Sequence, residues 1–383
     1  MSRILKITLI AIPVLVAILI LSWQHTVKPL AFEAFQWVTG HQKLGANTFR
    51  MPPKNTPYDQ WIERARSQIP LFEGIVINDV RTIELQPWPQ LGETIRGLYL
   101  RFADYQMTDG RIVELPPHGS TDSQRHFFEM GVYLFGGPGH TIIQQEGREP
   151  QRIDWKYRTL FSIPMNVRYQ HFNDSDRPVR LLAVSSFPFL MNAIDNERFL
   201  FDNEFVMRER YDADRDFLNT VNHVTANITK RNLVPDAVEH ETAQQKHRRS
   251  GATGMRWEMA GNTMLSLRVS EMAPEMYKTA HRHSSEAFIL FLSGEGYSVT
   301  WAEGRYAQRI RVDWNEGTLF VPPIYWYHQH LNPGSVPARF LAINTPHLVQ
   351  NLGLRFIDQL KSDLPEIEAE WKQKLQQKPT GKQ

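Results

Sequence analysis

Three histidines form the sequence feature most able to do chemistry. His281 and His283 flank a single arginine, and His328 lies in a second block that runs from Gly317 through Pro323. On an extended strand, side chains two residues apart point to the same face, so both imidazoles can reach one ion. A third imidazole from a neighbouring strand leaves part of the coordination sphere open, as metal catalysis requires. The spacing therefore predicts a metal site of three imidazoles.

The chemistry of imidazole predicts which metal such a set would bind. Three neutral imidazoles with open positions suit Fe(II) first, with Mn, Ni, Cu or Zn as alternatives, because affinity order alone does not decide the metal. Glu286 is a candidate fourth ligand. Its odd spacing from His283 places it on the opposite face of a regular strand, so it ligates only if a bulge intervenes. Otherwise we expect it to orient an imidazole N–H or to lie at the surface.

Further residues around the second block are candidate neighbours of the ion. They are His330, Tyr325, Tyr327 and Asn332. His330 shares a strand face with His328 and is either a ligand or, as we prefer, a histidine with a structural hydrogen bond. The two tyrosines either line a pocket that accepts an aromatic ligand or fill a β-barrel core, which is the commoner use. Arg282 points away from the ligand face, so we predict a structural salt bridge for it.

Two copies of one unit make up most of the chain. Residues 112–144 align without gaps on residues 269–301 at an offset of 157, and residues 152–180 align on 311–339 at an offset of 159. The change of offset corresponds to one loop insertion. Self-similarity of this kind marks a repeated structural unit, so we predict two similar folded units in tandem.

The first copy lacks most of the predicted ligands. The matched positions are Gln124 with His281, His126 with His283, Glu129 with Glu286, Tyr169 with His328 and His171 with His330. We therefore predict that the first copy binds no metal and acts as a scaffold or lid. Glu286 and His330 are weakened as ligands, because their counterparts persist where the ligands are lost.

Each copy has the pattern of short β-strands. Apolar runs rich in β-branched and aromatic residues end at Gly/Pro turns, which is typical of small β-barrels or jelly rolls. We predict an all-β protein with an N-terminal transmembrane helix and a C-terminal helical tail. The predicted boundaries are 1–23 for a membrane segment, 24–70 for an N-terminal extension, 71–215 for the first unit, 216–255 for a polar, partly helical linker, 256–348 for the second unit and 349–383 for the tail.

The N-terminus has the pattern of a membrane anchor. Arg3 and Lys6 precede residues 7–23, which carry no charge. Seventeen residues in a helix reach roughly 25 Å, near the lower limit for crossing a bilayer. Basic residues before the span favour an inside N-terminus, so we expect the remaining chain outside the cytoplasm, in the periplasm of a bacterial cell. A cleaved signal peptide with secretion, or a buried core helix, is the alternative.

Composition excludes several other function classes. The net charge is +2 and no basic run is interleaved with aromatics, so we expect no nucleic-acid partner. Cysteine is absent, which removes disulfides, thiolate metal sites and cysteine nucleophiles. The sequence has no phosphate loop, nucleophile elbow or dinucleotide fingerprint. The predicted metal is therefore the main candidate centre for chemistry.

The two histidine blocks resemble the paired motifs of the cupin superfamily, and the duplication resembles a bicupin. Gly317, Pro323, His328 and Asn332 match the second motif, with Tyr325 at the place of a family glycine. In the first motif His281, His283 and Gly294 match, whereas Glu286 follows the histidines too closely. Residues 281–297 are similar to a segment of gentisate and 1-hydroxy-2-naphthoate dioxygenases.

The resemblance implies two tandem cupin domains and an activity. Those dioxygenases coordinate iron through three histidines, usually in the N-terminal unit, whereas this chain keeps the histidines in the second. The implied function is an Fe(II)-dependent dioxygenase that uses O2 and a small, aromatic or apolar organic substrate. The alternatives are an O2-independent lyase, isomerase or decarboxylase, and a binding or sensory protein at the envelope with a structural metal. A homo-oligomer is a further expectation.

Overall fold

The structure, a computed structural model, describes residues 55–244, 252–360, 362 and 364–376. The predicted membrane segment at 1–23 and most of the extension at 24–70 lie outside these residues. Within the part of the chain that the structure describes, no helix is both long and apolar enough to cross a bilayer. All described residues belong to the unit Pro53–Gln383.

Eleven strands lie between residue 55, where the described part of the chain begins, and residue 186. They are β1 (Leu71–Gly74), β2 (Val76–Ile77), β3 (Gln86–Pro87), β4 (Arg96–Phe102), β5 (Asp109–Leu115), β6 (Met130–Leu134), β7 (Gly139–Gln144), β8 (Gln151–Trp155), β9 (Leu160–Ile163), β10 (Arg168–Asn173) and β11 (Val179–Ser185). Strands β3–β11 form what we call the N-terminal β unit. Its larger sheet contains the order β4-β5-β11-β6-β9, and its smaller sheet has the order β10-β7-β8.

The later strands repeat this arrangement. They are β12 (Asn222–Thr225), β13 (Ile228–Lys230), β14 (Leu233–Val234), β15 (Ala243–Gln244), β16 (Ala252–Glu258), β17 (Ser266–Met272), β18 (Met276–Tyr277), β19 (His281–His283), β20 (Ala287–Ser293), β21 (Gly296–Trp301), β22 (Ile310–Trp314), β23 (Leu319–Phe320), β24 (Tyr327–Asn332), β25 (Ala338–Asn344) and β26 (Ile357–Gln359). Strands β16–β25 form the C-terminal β unit. Its sheets contain the orders β16-β17-β25-β20-β23 and β24-β21-β22.

The two β units therefore share one strand topology. Each strand order in the N-terminal β unit has its counterpart in the C-terminal β unit, as the internal repeat predicts. The segment that precedes each unit pairs with the other unit, because β2 pairs with β23 of the C-terminal β unit and β14 pairs with β9 of the N-terminal one. The prediction that the chain is mostly β is confirmed.

The larger sheets are buried on both faces. Along β11, Leu181 and Ala183 pack into the core of the N-terminal β unit, while Leu182 and Val184 pack into a second core shared with residues such as Leu267. Successive strand residues point to opposite faces, so a strand that is buried on both sides needs a continuous apolar run. The sequence between Val179 and Ser185 supplies such a run.

A buried glutamate of the C-terminal β unit holds a loop of the N-terminal one. Glu286 is 1% exposed, and its carboxylate accepts the backbone N–H groups of Gln106, Met107 and Thr108 at 2.7, 2.9 and 2.7 Å. The Thr108 hydroxyl donates a fourth bond of 2.9 Å. A buried carboxylate is tolerated when its oxygens are hydrogen-bonded in this way.

The matching glutamate makes the reciprocal contact. Glu129 is fully buried and accepts the N–H groups of Thr263, Met264 and Leu265 at 2.7, 2.9 and 2.8 Å. Arg210 adds a salt bridge of 2.7 Å. This loop lies one repeat offset of 157 after the loop held by the other glutamate. The two units are therefore joined by a pair of equivalent contacts, which accounts for the retention of both glutamates in the sequence.

Five helices occur in the described residues. They are α1 (Pro57–Ala65), α2 (Phe187–Ile194), α3 (Glu197–Phe201), α4 (Pro346–Asn351) and α5 (Pro365–Gln376). The first begins with a capping box, in which Thr56 and Asp59 satisfy each other's backbone N–H groups, and Pro57 occupies the first turn. It buries Tyr58 and Ile62 beside α2, where Tyr58 meets Phe187 edge-on at 5.9 Å.

The C-terminal tail differs from the prediction. The expected helix from residue 349 is interrupted, because α4 is followed by Gly353 at a φ of +70° and the chain then becomes extended. Residues Ile357–Gln359 form β26, which pairs antiparallel with β19. Edge pairing thus prevails over the amphipathic pattern, and within the described part of the predicted tail only the end of α4 and α5 are helical. The linker at 216–255 is also corrected, since its described residues contain strands β12–β15 and no helix.

Candidate metal centre

The three predicted ligands lie together on adjacent strands. β19 carries His281 and His283, β24 carries His328, and His281 pairs with His328 across the ladder. One nitrogen from each ring lies within 4.8 Å of the other two. The ring centroids are 4.2 Å apart for His281 and His328, 4.9 Å for His283 and His328, and 5.6 Å for His281 and His283. The geometry therefore brings all three imidazoles to one point.

Backbone carbonyls orient two of the rings. His283 Nδ1 lies 2.7 Å from the Ser285 carbonyl oxygen, and His328 Nδ1 lies 3.2 Å from that of Trp326. A carbonyl can only accept, so in these contacts Nδ1 carries the proton and Nε2 keeps its lone pair. Ligating histidines are commonly fixed by this type of bond. The donor set therefore fits a transition metal.

Glu286 lies outside this cluster. Both of its carboxylate oxygens are taken by the loop at residues 106–108. Burial raises its pKa to about 7, and the four donors act in the opposite direction. The histidine cluster found among the described residues does not include it. Glu286 therefore forms a contact between the two β units.

His330 belongs to a hydrogen-bonded chain beside the trio. Its Nδ1 lies 2.7 Å from the Ser298 hydroxyl, which accepts the Trp314 indole N–H at 3.0 Å. The N-terminal β unit contains the same chain, formed by His171, Thr141 and Trp155 with distances of 2.7 and 3.0 Å. Repetition where the ligands are lost points to a structural role for this histidine.

The free energy of unfolding should depend on pH because His171 is buried as a neutral imidazole. Burial, followed by the charge of Arg111, lowers its pKa to about 3. The unfolded side chain titrates near 6.5, so between about pH 6.5 and 3 the unfolded state binds more protons and stability falls as the pH is lowered. We expect a contribution of about 1.4 kcal/mol per pH unit within that window.

The matched variant His171→Asn keeps an acceptor for the Thr141 hydroxyl and removes the titration. Urea unfolding of both proteins between pH 7 and 5 should show a steeper loss of stability in the wild type. Parallel stability curves would contradict a neutral buried imidazole.

The remaining predicted neighbours of the ion stabilise the structure around the site. Asn332 donates to the backbone carbonyls of Met272, Ala273 and Val336 at 3.3, 3.0 and 2.9 Å, and so closes a turn. Its counterpart Asn173 makes equivalent bonds in the N-terminal β unit. Neither this residue nor the two tyrosines line the cavity at the trio.

The two tyrosines contact the C-terminal segment instead. Tyr325 precedes β24 at a φ of +63°, a left-handed conformation that explains why glycine suits this position. Its ring lies 6.1 Å from that of Phe356. The Tyr327 hydroxyl donates to Asp358 at 2.6 Å, on the strand face opposite to His328.

Arg282 forms the predicted structural salt bridges. It contacts Glu303 at 2.7 Å and Asp358 at 3.0 Å, and its guanidinium stacks over the Tyr327 ring at 4.7 Å. Because Asp358 lies on β26, the salt bridge secures the tail strand against the strand that carries His281 and His283.

A small cavity borders the three histidines. Its volume is about 20 Å³, enough for a ligand of one or two heavy atoms, since one water needs about 10–15 Å³. Arg268 and Lys278 line it together with the trio and His330, and no carboxylate does so among the described residues. Sequence reasoning missed these two cations. The repeat held a signal for one of them, because Arg268 matches Arg111 at the offset of 157.

The equivalent place in the N-terminal β unit is organised differently. A bridge pairs Gln124 with Tyr169, where the other unit pairs His281 with His328. The Arg111 guanidinium donates to Gln124 Oε1 at 3.1 Å and to the Tyr169 hydroxyl at 2.6 Å. This side chain therefore brings a fixed positive charge to the two residues that stand in place of predicted ligands.

Comparisons with known proteins give similarities of structure only. No protein-family model matches the chain, and no curated protein matches it. An oxalate decarboxylase variant from Bacillus subtilis is 14% identical, with 86% of this chain and 93% of that chain covered and a TM-score of 0.48. A salicylate 1,2-dioxygenase from Pseudaminobacter salicylatoxidans is 13% identical, with 66% and 75% covered and a TM-score of 0.49.

Vicilin from Corylus avellana (hazelnut) is 11% identical, with 76% of this chain and 89% of that chain covered and a TM-score of 0.46. Similarities at these identities and scores assign neither a family nor an activity to this chain.

Proposed function

We propose that His281, His283 and His328 bind one divalent transition metal, and that the protein is an Fe(II)-dependent dioxygenase acting on a small organic anion. The convergence of one nitrogen from each imidazole to within 4.8 Å in a buried site carries the proposal. Imidazole ligands suit Fe, and Mn, Ni, Cu and Zn are the alternatives. When bound, Fe(II) would supply electron transfer between the organic substrate and O2.

The residues around the trio favour an O2-dependent reaction over a lyase reaction. A lyase or decarboxylase needs a positioned group that exchanges protons with the substrate, and carboxylates are common in that role. The cavity at the trio has no carboxylate among the described residues, and His330 is engaged by Ser298 at 2.7 Å. Lys278 is the remaining side chain there that could exchange protons, and we assign it to holding the negative charge of the substrate. In a dioxygenase the metal and O2 provide the chemistry, so the protein has mainly to position the reactants.

The substrate class follows from the charge and size of this cavity. Arg268 and Lys278 bring positive charge to its wall, so a carboxylate would be held and oriented there. A volume of about 20 Å³ holds only one or two heavy atoms, so only the carboxylate end of a substrate would reach into it. The charge of Arg268 and Lys278 therefore supports a small organic anion as the substrate.

Oxygen consumption tests this proposal. The protein is loaded with Fe(II) and offered a panel of two- to four-carbon carboxylates, with and without O2. We expect turnover that requires O2 and consumes it in step with the substrate. Equal turnover under strict anaerobiosis would replace the dioxygenase by a metal-assisted lyase or decarboxylase, and the absence of turnover with the whole panel would favour a binding protein.

Membrane anchoring is a separate proposal that rests on residues 1–23. The charge-free stretch at 7–23 after Arg3 and Lys6 favours an anchor with the β units outside the cytoplasm. A reporter enzyme active only outside the cytoplasm, fused after Gln383, should be active in cells. An inactive but intact fusion would contradict this topology.

A further inference from the structure

We propose that the N-terminal β unit contains a second, metal-independent binding site, in which Arg111 anchors a small organic anion with an apolar or aromatic body. The site is independent of the metal centre and of the reaction proposed there. It lies in the unit whose predicted role was that of a scaffold or lid.

The cavity in this unit has the size of a small-molecule site. Its volume is about 690 Å³, within the usual range of about 300–1,000 Å³, whereas the cavity at the histidine trio has about 20 Å³. Aromatic side chains supply much of its wall, namely Trp61, Trp88, Phe128, Phe187 and Phe201. A wall of this kind buries the flat or apolar body of a ligand.

Arg111 provides the polar anchor of the cavity. Its guanidinium has five N–H donors, and the protein acceptors in the described residues are Gln124 Oε1 at 3.1 Å, the Tyr169 hydroxyl at 2.6 Å and Met130 Sδ at 3.0 Å. These contacts use three donors at most, so two remain for a ligand. They also hold the guanidinium in place, which reduces the entropy lost when a ligand binds.

The charge of Arg111 is balanced only in part by the protein. No carboxylate of the described residues forms a salt bridge with it, since all three of its acceptors are neutral. Asp109 lines the same cavity, but its oxygens accept the hydroxyls of Tyr99 and Ser185. Burial raises the pKa of Asp109 to about 6, which weakens its effect on an anion in mildly acidic solution.

The other charged groups at the cavity leave an excess of positive charge. Arg64 pairs with Glu197 at 2.9 Å and Arg125 lies 3.8 Å from Asp202, while Arg168 adds a further cation. Four arginines thus face three carboxylates across the wall. A carboxylate accepts two parallel N–H bonds from an arginine, and the aromatic wall suits an apolar body, so the proposed ligand is a monocarboxylic acid with a hydrophobic body.

Benzoate and its neutral analogue benzamide test the site. The full-length protein in detergent is stripped of metal with a chelator, and both probes are titrated by calorimetry. We expect benzoate to bind at least about tenfold more tightly than benzamide, because only benzoate forms a charge-assisted pair. Arg111→Met should remove that preference, whereas the control variant Arg152→Met, at an exposed arginine of the same unit that lines neither cavity, should keep it.

The conservative variant Arg111→Lys distinguishes a loss of ligand binding from a loss of folding. It keeps the charge but not the planar donors, so a folded protein with an intermediate preference for benzoate is expected, and a thermal melt of each variant verifies the fold. Equal affinities for benzoate and benzamide, unchanged benzoate affinity in folded Arg111→Met, or no benzoate binding up to about 10 mM would each overturn the proposal.

Discussion

His328→Ala is expected to abolish metal binding at physiological metal levels. Loss of a residue that merely orients a ligand costs about 10–100-fold in metal affinity, and loss of one of three direct ligands should cost more. His328 is central to the cluster, with its ring 4.2 Å from that of His281 and 4.9 Å from that of His283. Competition with a chromophoric chelator gives the affinity of each variant.

The internal repeat supplies a matched control for this substitution. Tyr169 occupies the equivalent position in the N-terminal β unit and is likewise buried. Tyr169→Ala should therefore leave metal affinity unchanged while it removes a comparable side chain from a comparable strand. Equal losses in both variants would mean that the effect comes from the fold, and no loss in His328→Ala would remove this residue from the proposed ligands.

Glu286→Ala is expected to destabilise the protein by about 3–5 kcal/mol. The substitution leaves the three N–H groups at residues 106–108 and the Thr108 hydroxyl without their acceptor in a buried interface, which is among the costliest classes of change. Urea unfolding near pH 8, where the carboxylate is ionised, measures the loss. An exposed control such as Glu295→Ala should change stability by less than about 0.5 kcal/mol.

The same variant separates the two roles considered for this glutamate. If Glu286 joins the β units, the folded fraction of Glu286→Ala keeps the metal affinity of the wild type, and Glu129→Ala loses stability to a similar extent. A glutamate that ligates the metal would give the opposite pattern, with weaker metal binding, unchanged stability and no effect of Glu129→Ala.

Part of the site could be predicted from the sequence, because the repeat allows each residue of one copy to be compared with its equivalent in the other. His281, His283 and His328 stand out because their equivalents in the first copy are partly lost. His330 and Glu286 are set apart because their equivalents are kept, and in the structure they form the same contacts in both β units. An internal duplication thus distinguishes residues that maintain the fold from residues with a separate role.

The parts that sequence reasoning missed depend on contacts between distant segments. The tail strand β26 forms because β19 offers a free edge and Arg282 a partner for Asp358, and neither is visible in the amphipathic pattern around Ile357. The cavity beside Arg111 is lined by side chains from α1, α2 and several strands. Its volume is a property of their packing, so no local pattern reports it.

The two β units have diverged in a complementary way. The C-terminal β unit keeps three imidazoles around a cavity of about 20 Å³, whereas the N-terminal β unit has replaced two of them and opens a cavity of about 690 Å³ around an arginine. The same strand topology therefore supports a candidate metal centre in one unit and a candidate anion site in the other.

The number of metal ions bound per chain tests the central claim most directly. Elemental analysis of the purified protein, after reconstitution with Fe(II) and removal of excess metal, should give one ion per chain for the wild type and for His126→Gln. The variant with His281, His283 and His328 all replaced by alanine should retain none. Two ions per chain in the wild type, or one ion retained in that triple variant, would contradict a single metal site in the C-terminal β unit.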